Sequence, residues 1–155
     1  MKKRRERYLA KMGRKLRLIH SWNAWLVLLL AATGIVLFLP ALRAATAPVR
    51  TALKEGHIWL GLLSAVLLLL YLPFLPGHLR LLRGKTGQRI NLAVVLILIA
   101  GWCASGTVLW LERSVPPLWT SAALMAHDVL TWVGVPYALV HAVVRSRWVR
   151  ERRAR

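Results

Sequence analysis

The chain has 155 residues, of which 57% are hydrophobic and eight are tryptophan, and its formal net charge is +18. This apolar content is too high for a soluble domain of similar length and indicates a membrane protein with one domain. The basic residues lie at the ends of apolar segments, which favours topology and contact with membrane lipid over nucleic-acid binding. The single cysteine, Cys103, excludes an internal disulfide and any C-x-x-C-H attachment motif.

Four apolar segments follow a basic N-terminal tail, and each is long enough to cross a bilayer. They comprise residues 18–42, 56–78, 90–111 and 118–144. Pro73, Pro76 and Gly77 are expected to end or kink the second segment. The Ala-Thr-Ala sequence at 45–47 resembles a signal-peptide cleavage site, but the apolar run before it is longer than a signal peptide needs. We therefore predict that the first segment is retained as a span.

The distribution of lysine and arginine predicts the topology. The two terminal tails and the loop between the second and third spans hold 19 of the 23 basic residues, and the other two loops hold four. Basic residues accumulate on the cytoplasmic side of membrane proteins. The sequence therefore predicts an all-α membrane protein with a basic cytoplasmic tail (1–17), a four-helix transmembrane bundle (18–144) and a second basic cytoplasmic tail (145–155).

Two histidines of the fourth span, His127 and His141, are 14 residues apart. At about 100° per residue this spacing is only about 40° short of four full turns, so both side chains lie on one helical face. The rise between them is about 21 Å, most of the thickness of the hydrocarbon core. Ionisable residues inside a span are functional by default, so two separate sites are expected on this face.

The predicted topology places one further histidine at the depth of each of these two. His20 begins the first span on the cytoplasmic side, and His57 begins the second span on the outer side. Depth therefore pairs His20 with His141 and His57 with His127. Two histidines from facing helices can bind a haem iron on both axial sides, whereas tetrahedral zinc needs four ligands. We predict two non-covalent b-type haems inside the bundle, with these four histidines as the iron ligands.

Three glycines share the register of these histidines. Gly34 lies 14 residues after His20, Gly61 lies four after His57, and Gly134 lies seven after His127. Positions without a side chain would leave room for a flat macrocycle between the helices. Small residues also serve ordinary helix packing in membranes. The fifth histidine, His78, follows Pro76-Gly77 and is expected in the loop beyond the helix end. The alternative that His78, and not His20, is the inner ligand stays open.

These features resemble the four-helix di-haem cytochrome b subunits of respiratory oxidoreductases. That family includes the gamma subunit of formate dehydrogenase and the cytochrome b subunit of nickel–iron hydrogenase, with cytochrome b561-like folds. The resemblance covers nearly the whole span region. The matching sequences are RLIHSWNAW at 17–25, Thr33-Gly34, Gly56-His57, Ser105-Gly106, and HDVLTWVGVPYALVH at 127–141.

The resemblance implies electron transfer across the cell membrane of a prokaryote. The outer partner would be an iron–sulfur, molybdenum or nickel–iron oxidoreductase subunit, and the inner substrate would be menaquinone or ubiquinone. Gly87 and Gln88 match part of the family's quinone motif, but Lys85 stands where the family has asparagine. Arg17 and Arg145 would bind the propionates of the inner haem, although flanking cations of this kind also serve topology alone.

Two other classes of function are compatible with the sequence. A non-redox scaffold or small transporter would use the histidines for packing or proton transfer and would bind no cofactor. A stand-alone haem b protein could reduce ferric ions or superoxide without a partner subunit. No G-x-G-x-x-G motif is present, so oxidation of a nicotinamide nucleotide by the chain alone is not expected.

Overall fold

The computed structural model describes the backbone of residues 2–153 and the side chains of residues 13–16 and 18–141. This part of the chain is helical and contains no strand. Single turns of 3-10 helix precede α3 and α4. The helices are α1 (Lys2–Phe38), α2 (Pro40–Ala45), α3 (Arg50–Tyr71), α4 (Leu75–Leu81), α5 (Thr86–Trp110) and α6 (Pro117–Arg153).

Four of these helical stretches are long and apolar enough to cross a membrane, as predicted. They are Gly13–Phe38, Ala47–Leu81, Thr86–Trp110 and Pro117–His141. The burial pattern agrees with a lipid environment, because large apolar side chains face outward while small polar ones are enclosed. Ile97 is 67% exposed and Leu69 is 64% exposed, whereas Ser64 and Ser105 are 3% and 7% exposed. Such an arrangement suits hydrocarbon rather than water outside the bundle.

The boundaries of the helices differ from the predicted ones for local reasons. Helix α1 ends at Phe38 instead of continuing to residue 42, because Pro40 lacks an N–H group and disfavours helical backbone at the residue before it. The basic tail before residue 18 continues α1 as one helix. At the other end of the chain, α6 runs through Pro136 without interruption, so the 14-residue spacing of its histidines is a helical one.

The prediction that His78 lies in a loop is wrong. It belongs to the short helix α4, which follows a 3-10 turn after Tyr71. Pro76 lies in the first turn of α4, where proline is tolerated because its missing N–H would have no helical partner. The His78 Nδ1 atom lies 2.6 Å from the Tyr71 hydroxyl oxygen, so the two side chains are hydrogen-bonded. The proline-glycine pair therefore starts a helix here instead of ending one.

Neighbouring spans pack in chain order, and the bundle closes through side chains. Helix α1 lies against α3, α3 against α5, and α5 against α6. The Ser64 hydroxyl donates to Asn23 Oδ1 at 3.0 Å, which ties α3 to α1. The rings of Phe38 and Trp132 meet at 5.8 Å between centroids and close α1 onto α6. This arrangement leaves His57, His127 and His141 half-buried in the bundle, whereas His20 is exposed.

Candidate functional site

The structure brings the four histidines together in the two pairs that depth predicts. The ring centroids of His57 and His127 are 6.3 Å apart, with an interplanar angle of 75°. Those of His20 and His141 are 6.1 Å apart, with an interplanar angle of 81°. We call His57 and His127 the outer pair and His20 and His141 the inner pair, after the predicted topology. Their role as iron ligands stays a prediction.

Both separations match the span of one metal ion held between two imidazoles. A bond from a first-row metal to an imidazole nitrogen is about 2 Å long. In a five-membered ring with bonds of about 1.33 Å, each atom lies about 1.1 Å from the centre. Two ligands on opposite sides of one ion therefore place their centroids about 6.2 Å apart. Edge-to-face packing of two aromatic rings reaches the same separation, as it does for Tyr71 and His78 at 6.0 Å.

Each pair offers two imidazole nitrogens, a number that would suit a metal that already has other ligands. Among the described residues, no three or more histidine, cysteine, aspartate or glutamate side chains form a metal-binding group. A bare zinc ion would need four ligands from the protein and water. A haem iron is already bound by four pyrrole nitrogens and lacks only its two axial ligands. The paired histidines fit that requirement.

Hydroxyl groups contact the Nδ1 atoms of the outer pair. Thr33 Oγ1 lies 2.8 Å from His57 Nδ1, and Ser105 Oγ lies 2.9 Å from His127 Nδ1. Each hydroxyl donates its only proton to the main-chain carbonyl one turn earlier, at 2.8 Å for Thr33 and 2.7 Å for Ser105. With the hydroxyl proton on that carbonyl, the imidazole Nδ1–H is the donor to the hydroxyl. In the neutral ring this leaves the lone pair on Nε2, available to a metal.

An amide performs the same task at the inner pair. Asn91 Oδ1 accepts a hydrogen bond from the Tyr137 hydroxyl at 2.6 Å. The same oxygen lies 3.1 Å from His141 Nδ1, and because a carbonyl oxygen can only accept, Nδ1 carries the proton. Ligating histidines commonly donate their second ring N–H to such an oxygen, which orients the ring. His20 is exposed, and His141 is half-buried.

A cavity of about 570 Å³ surrounds the outer pair. This volume lies in the range of about 300–1,000 Å³ that is usual for pockets that hold cofactors. Its wall is mostly apolar, with contributions from α1, α3, α5 and α6. The polar lining includes Asp128 beside His127, and two cations that the sequence analysis did not identify, Arg43 and Lys54.

The predicted glycines have three different surroundings. A Cβ atom on Gly34 would lie 3.3 Å from His57 Cε1, so this glycine admits the outer imidazole. A Cβ atom on Gly61 would meet nothing within 4 Å, and Gly61 lines the cavity. On Gly134 it would lie 2.5 Å from the Trp102 ring, which gives this glycine a packing role between α6 and α5. The predicted clearance of a macrocycle stays a prediction for all three.

The remaining predicted residues lie near the inner end or beyond the described side chains. Gly87 and Gln88 form the first turn of α5 and are exposed, with the Gln88 N–H donating to the Lys85 carbonyl at 3.1 Å. The side chains of Arg17 and Arg145 lie outside the described residues. Their contacts with a quinone or a propionate stay predictions.

Sequence reasoning missed the residues that orient the imidazoles. Thr33 and Ser105 each precede a glycine of a matched motif, Gly34 and Gly106, and stand in otherwise apolar spans. A polar side chain in a span needs a hydrogen-bond partner, and this requirement could have indicated a histidine at the same depth. Asn91 in α5 gave the same kind of signal.

Comparison of the chain with protein-family models, with curated proteins and with solved structures gave no match. The case for a function therefore depends on the residues and on their arrangement. Two imidazole pairs at the separation of a shared axial ion, with three of the four rings hydrogen-bonded through Nδ1, are the feature that a function has to explain.

Proposed function

We propose that this protein is a di-haem cytochrome b subunit of a respiratory membrane complex. It would transfer electrons between an outer oxidoreductase partner, of the formate dehydrogenase or hydrogenase type, and the quinone pool. The observation that carries the proposal is the pair of centroid separations, 6.3 and 6.1 Å, at two depths of one bundle. Both separations are close to the one that a single ion between two imidazoles would set, and three of the four rings are hydrogen-bonded through Nδ1.

The histidines determine what chemistry the sites could support. Haem bound at these positions supplies one-electron chemistry. Because histidines would take both axial positions, no position on the iron would be open to oxygen, which suits electron transfer. Asn91 Oδ1 accepts from His141 Nδ1–H, and the Thr33 and Ser105 oxygens can accept in the same way from the outer rings, which would leave Nε2 free to bind a metal without first losing a proton.

The position of the two sites supports transfer across the membrane. His127 and His141 lie 14 residues apart in the uninterrupted helix α6, a rise of about 21 Å. That distance covers most of the hydrocarbon core, which is about 30 Å thick. Two sites in series would divide the path between the membrane surfaces, whereas a single site would serve only one surface.

The contacts at the inner end support the assignment of quinone to the inner pair. Gln88 lies three residues before Asn91 on α5, so the two side chains lie on neighbouring positions of one helical face. Asn91 in turn holds His141. A quinone hydrogen-bonded at Gln88 would therefore lie within one helical turn of the group that orients the inner ligand. The exposure of His20 leaves that end accessible from the lipid.

A reduced-minus-oxidised spectrum with haem quantification on the purified protein tests the proposal. We expect two haems per chain with low-spin b-type bands. Acid–acetone should extract both, since the chain has no C-x-x-C-H motif. A haem content near zero would reject the proposal in favour of a non-redox scaffold or transporter, and a content near one would retain only one of the two pairs.

A further inference from the structure

Two cations line the cavity of the outer pair, although the rest of its wall is largely apolar. Arg43 comes from α2, and Lys54 comes from the second turn of α3. Lys54 lies three residues before His57, which places it on the same side of α3 and about 4.5 Å further toward the helix end. The two cations therefore lie on the side of the cavity near the end of the bundle. We call them the cavity rim.

The rim cations are only weakly engaged by the protein itself. Lys54 Nζ lies 3.8 Å from Glu112 Oε1, and the two side chains are 61% and 48% exposed. An ion pair with this exposure contributes little, because water competes for both groups. Within the described residues, no ion pair includes Arg43. Asp128 is the one acid in the cavity lining, so the lining carries more positive than negative charge.

We propose that Arg43 and Lys54 bind the two carboxylates of the outer macrocycle and so fix its orientation. This inference rests on the proposed function and deepens it. Haem b has an apolar face and carries both of its propionates on one edge. The cavity offers a matching division, with apolar walls around His57 and His127 and two cations at one end. Guanidinium and ammonium groups form stronger, charge-assisted hydrogen bonds with carboxylates than with the neutral edges of the macrocycle.

Masking the carboxylates tests the proposal directly. The variant H20A/H141A removes the inner ligands, so that only the outer site is titrated. The purified apoprotein in detergent is titrated with ferric haem b and, in parallel, with its dimethyl ester, which carries no negative charge at the propionates. We expect the free acid to bind with an affinity at least roughly tenfold higher than that of the ester. Adding R43Q and K54Q should abolish that preference while the low-spin spectrum of bis-histidine ligation persists.

Two control variants separate carboxylate binding from general effects of charge or structure. Arg50→Gln removes an exposed cation close to Arg43 in sequence that does not line the cavity, so the preference should be retained. Glu112→Gln removes the partner of Lys54 and leaves the ammonium free, so the preference should be unchanged or greater. If Glu112→Gln instead weakened haem binding as much as Lys54→Gln, Lys54 would act by supporting the structure, and the proposal would fail.

The outcomes distinguish this inference from the function on which it rests. Equal binding of acid and ester to the intact rim would overturn the rim proposal, as would a preference that survives R43Q/K54Q. In both cases low-spin haem binding would persist, and the cytochrome proposal would stand. Binding of neither form would overturn the cytochrome proposal and the rim proposal together. If the double variant misfolded by circular dichroism, the single variants Arg43→Gln and Lys54→Gln, each at an exposed position, would decide.

Discussion

The outer and inner histidine pairs have nearly the same ring separation but different surroundings. The outer pair lies in a cavity of about 570 Å³ and both of its rings are half-buried. At the inner pair, His20 is exposed and His141 is half-buried. The ring separation is close to what a shared metal ion would require, whereas the difference in burial leaves the inner pair more exposed than the outer pair.

The two pairs also differ in the groups that orient them. The hydroxyls of Thr33 and Ser105 contact the outer rings, and each hydroxyl also donates a hydrogen bond to a main-chain carbonyl of its own helix. The inner ring of His141 is held by Asn91, which is shared with Tyr137. A hydroxyl that already donates its proton is a weaker acceptor than an amide oxygen. The comparison suggests that the two sites would have different reduction potentials if they bind haem.

Removal of a histidine should have the largest effect on haem content, and each substitution should affect the site of its own pair only. His127→Ala or His57→Ala should abolish one spectral component, and His141→Ala or His20→Ala the other, because each haem would lose an axial ligand. The haem content should fall from about two to about one per chain. Spectra and haem quantification of the four variants check the assignment.

His78→Ala is the control for that series. Its ring bonds Tyr71 in the described structure and belongs to neither pair. Both spectral components should therefore persist. If His78→Ala abolished the inner component while His20→Ala did not, the inner ligand would be His78, and the pairing by depth would be wrong at that end.

Loss of a hydroxyl should affect the outer site alone, and more weakly. Ser105→Ala removes the acceptor of His127 Nδ1–H, and loss of such a partner typically lowers metal affinity by about 10–100-fold. Thr107→Ala is the matched control, since this hydroxyl also donates to a carbonyl one turn earlier and also lines the cavity. Titration of apoprotein with haem should separate the two variants. Equal losses in both would contradict the role assigned to the Ser105 contact.

The amide at the inner site offers the corresponding graded test. Asn91→Leu removes the acceptor of both His141 and Tyr137, so the inner component should weaken or shift by tens of millivolts, about 1 kcal/mol or more, while the outer one stays. Tyr137→Phe keeps the bond between Asn91 and His141 and should change the inner potential less. Redox titration of both variants is the measurement. A shift of the outer component would show that the two sites are not independent.

Substitution of two glycines by alanine should have the smallest effects on stability and haem binding. The two variants should distinguish a glycine that leaves room for the cofactor from one that serves helix packing. Gly134→Ala would bring a methyl within 2.5 Å of Trp102, so the protein without cofactor should lose about 1–3 kcal/mol of stability. Gly61→Ala meets open space, and the apoprotein should keep its stability or gain about 0.5–1 kcal/mol. Haem binding at the outer site should weaken only if the macrocycle fills that space. Unfolding in detergent, with and without haem, measures both.

The amino-acid sequence by itself determined the spans and the grouping of the histidines. Hydropathy over about 20 residues depends on local composition, so four spans could be located without any long-range contact. The 14-residue spacing in α6 depends only on helical periodicity, and the depth of His20 and His57 depends only on their distance from a span end. The same local rules gave one wrong prediction, because Pro76 lies in the first turn of the helix that contains His78 and does not end a helix there.

Only the tertiary structure decided which side chains hold and surround the histidines. The partners of the outer rings are 24 and 22 residues away in sequence, and the partner of His141 is 50 residues away. No periodicity of a single helix relates such positions, because their contact depends on how α1 packs against α3 and how α5 packs against α6. The same holds for Arg43 and Lys54, which reach one cavity from two different helices. Packing, rather than composition, made them neighbours of the outer pair.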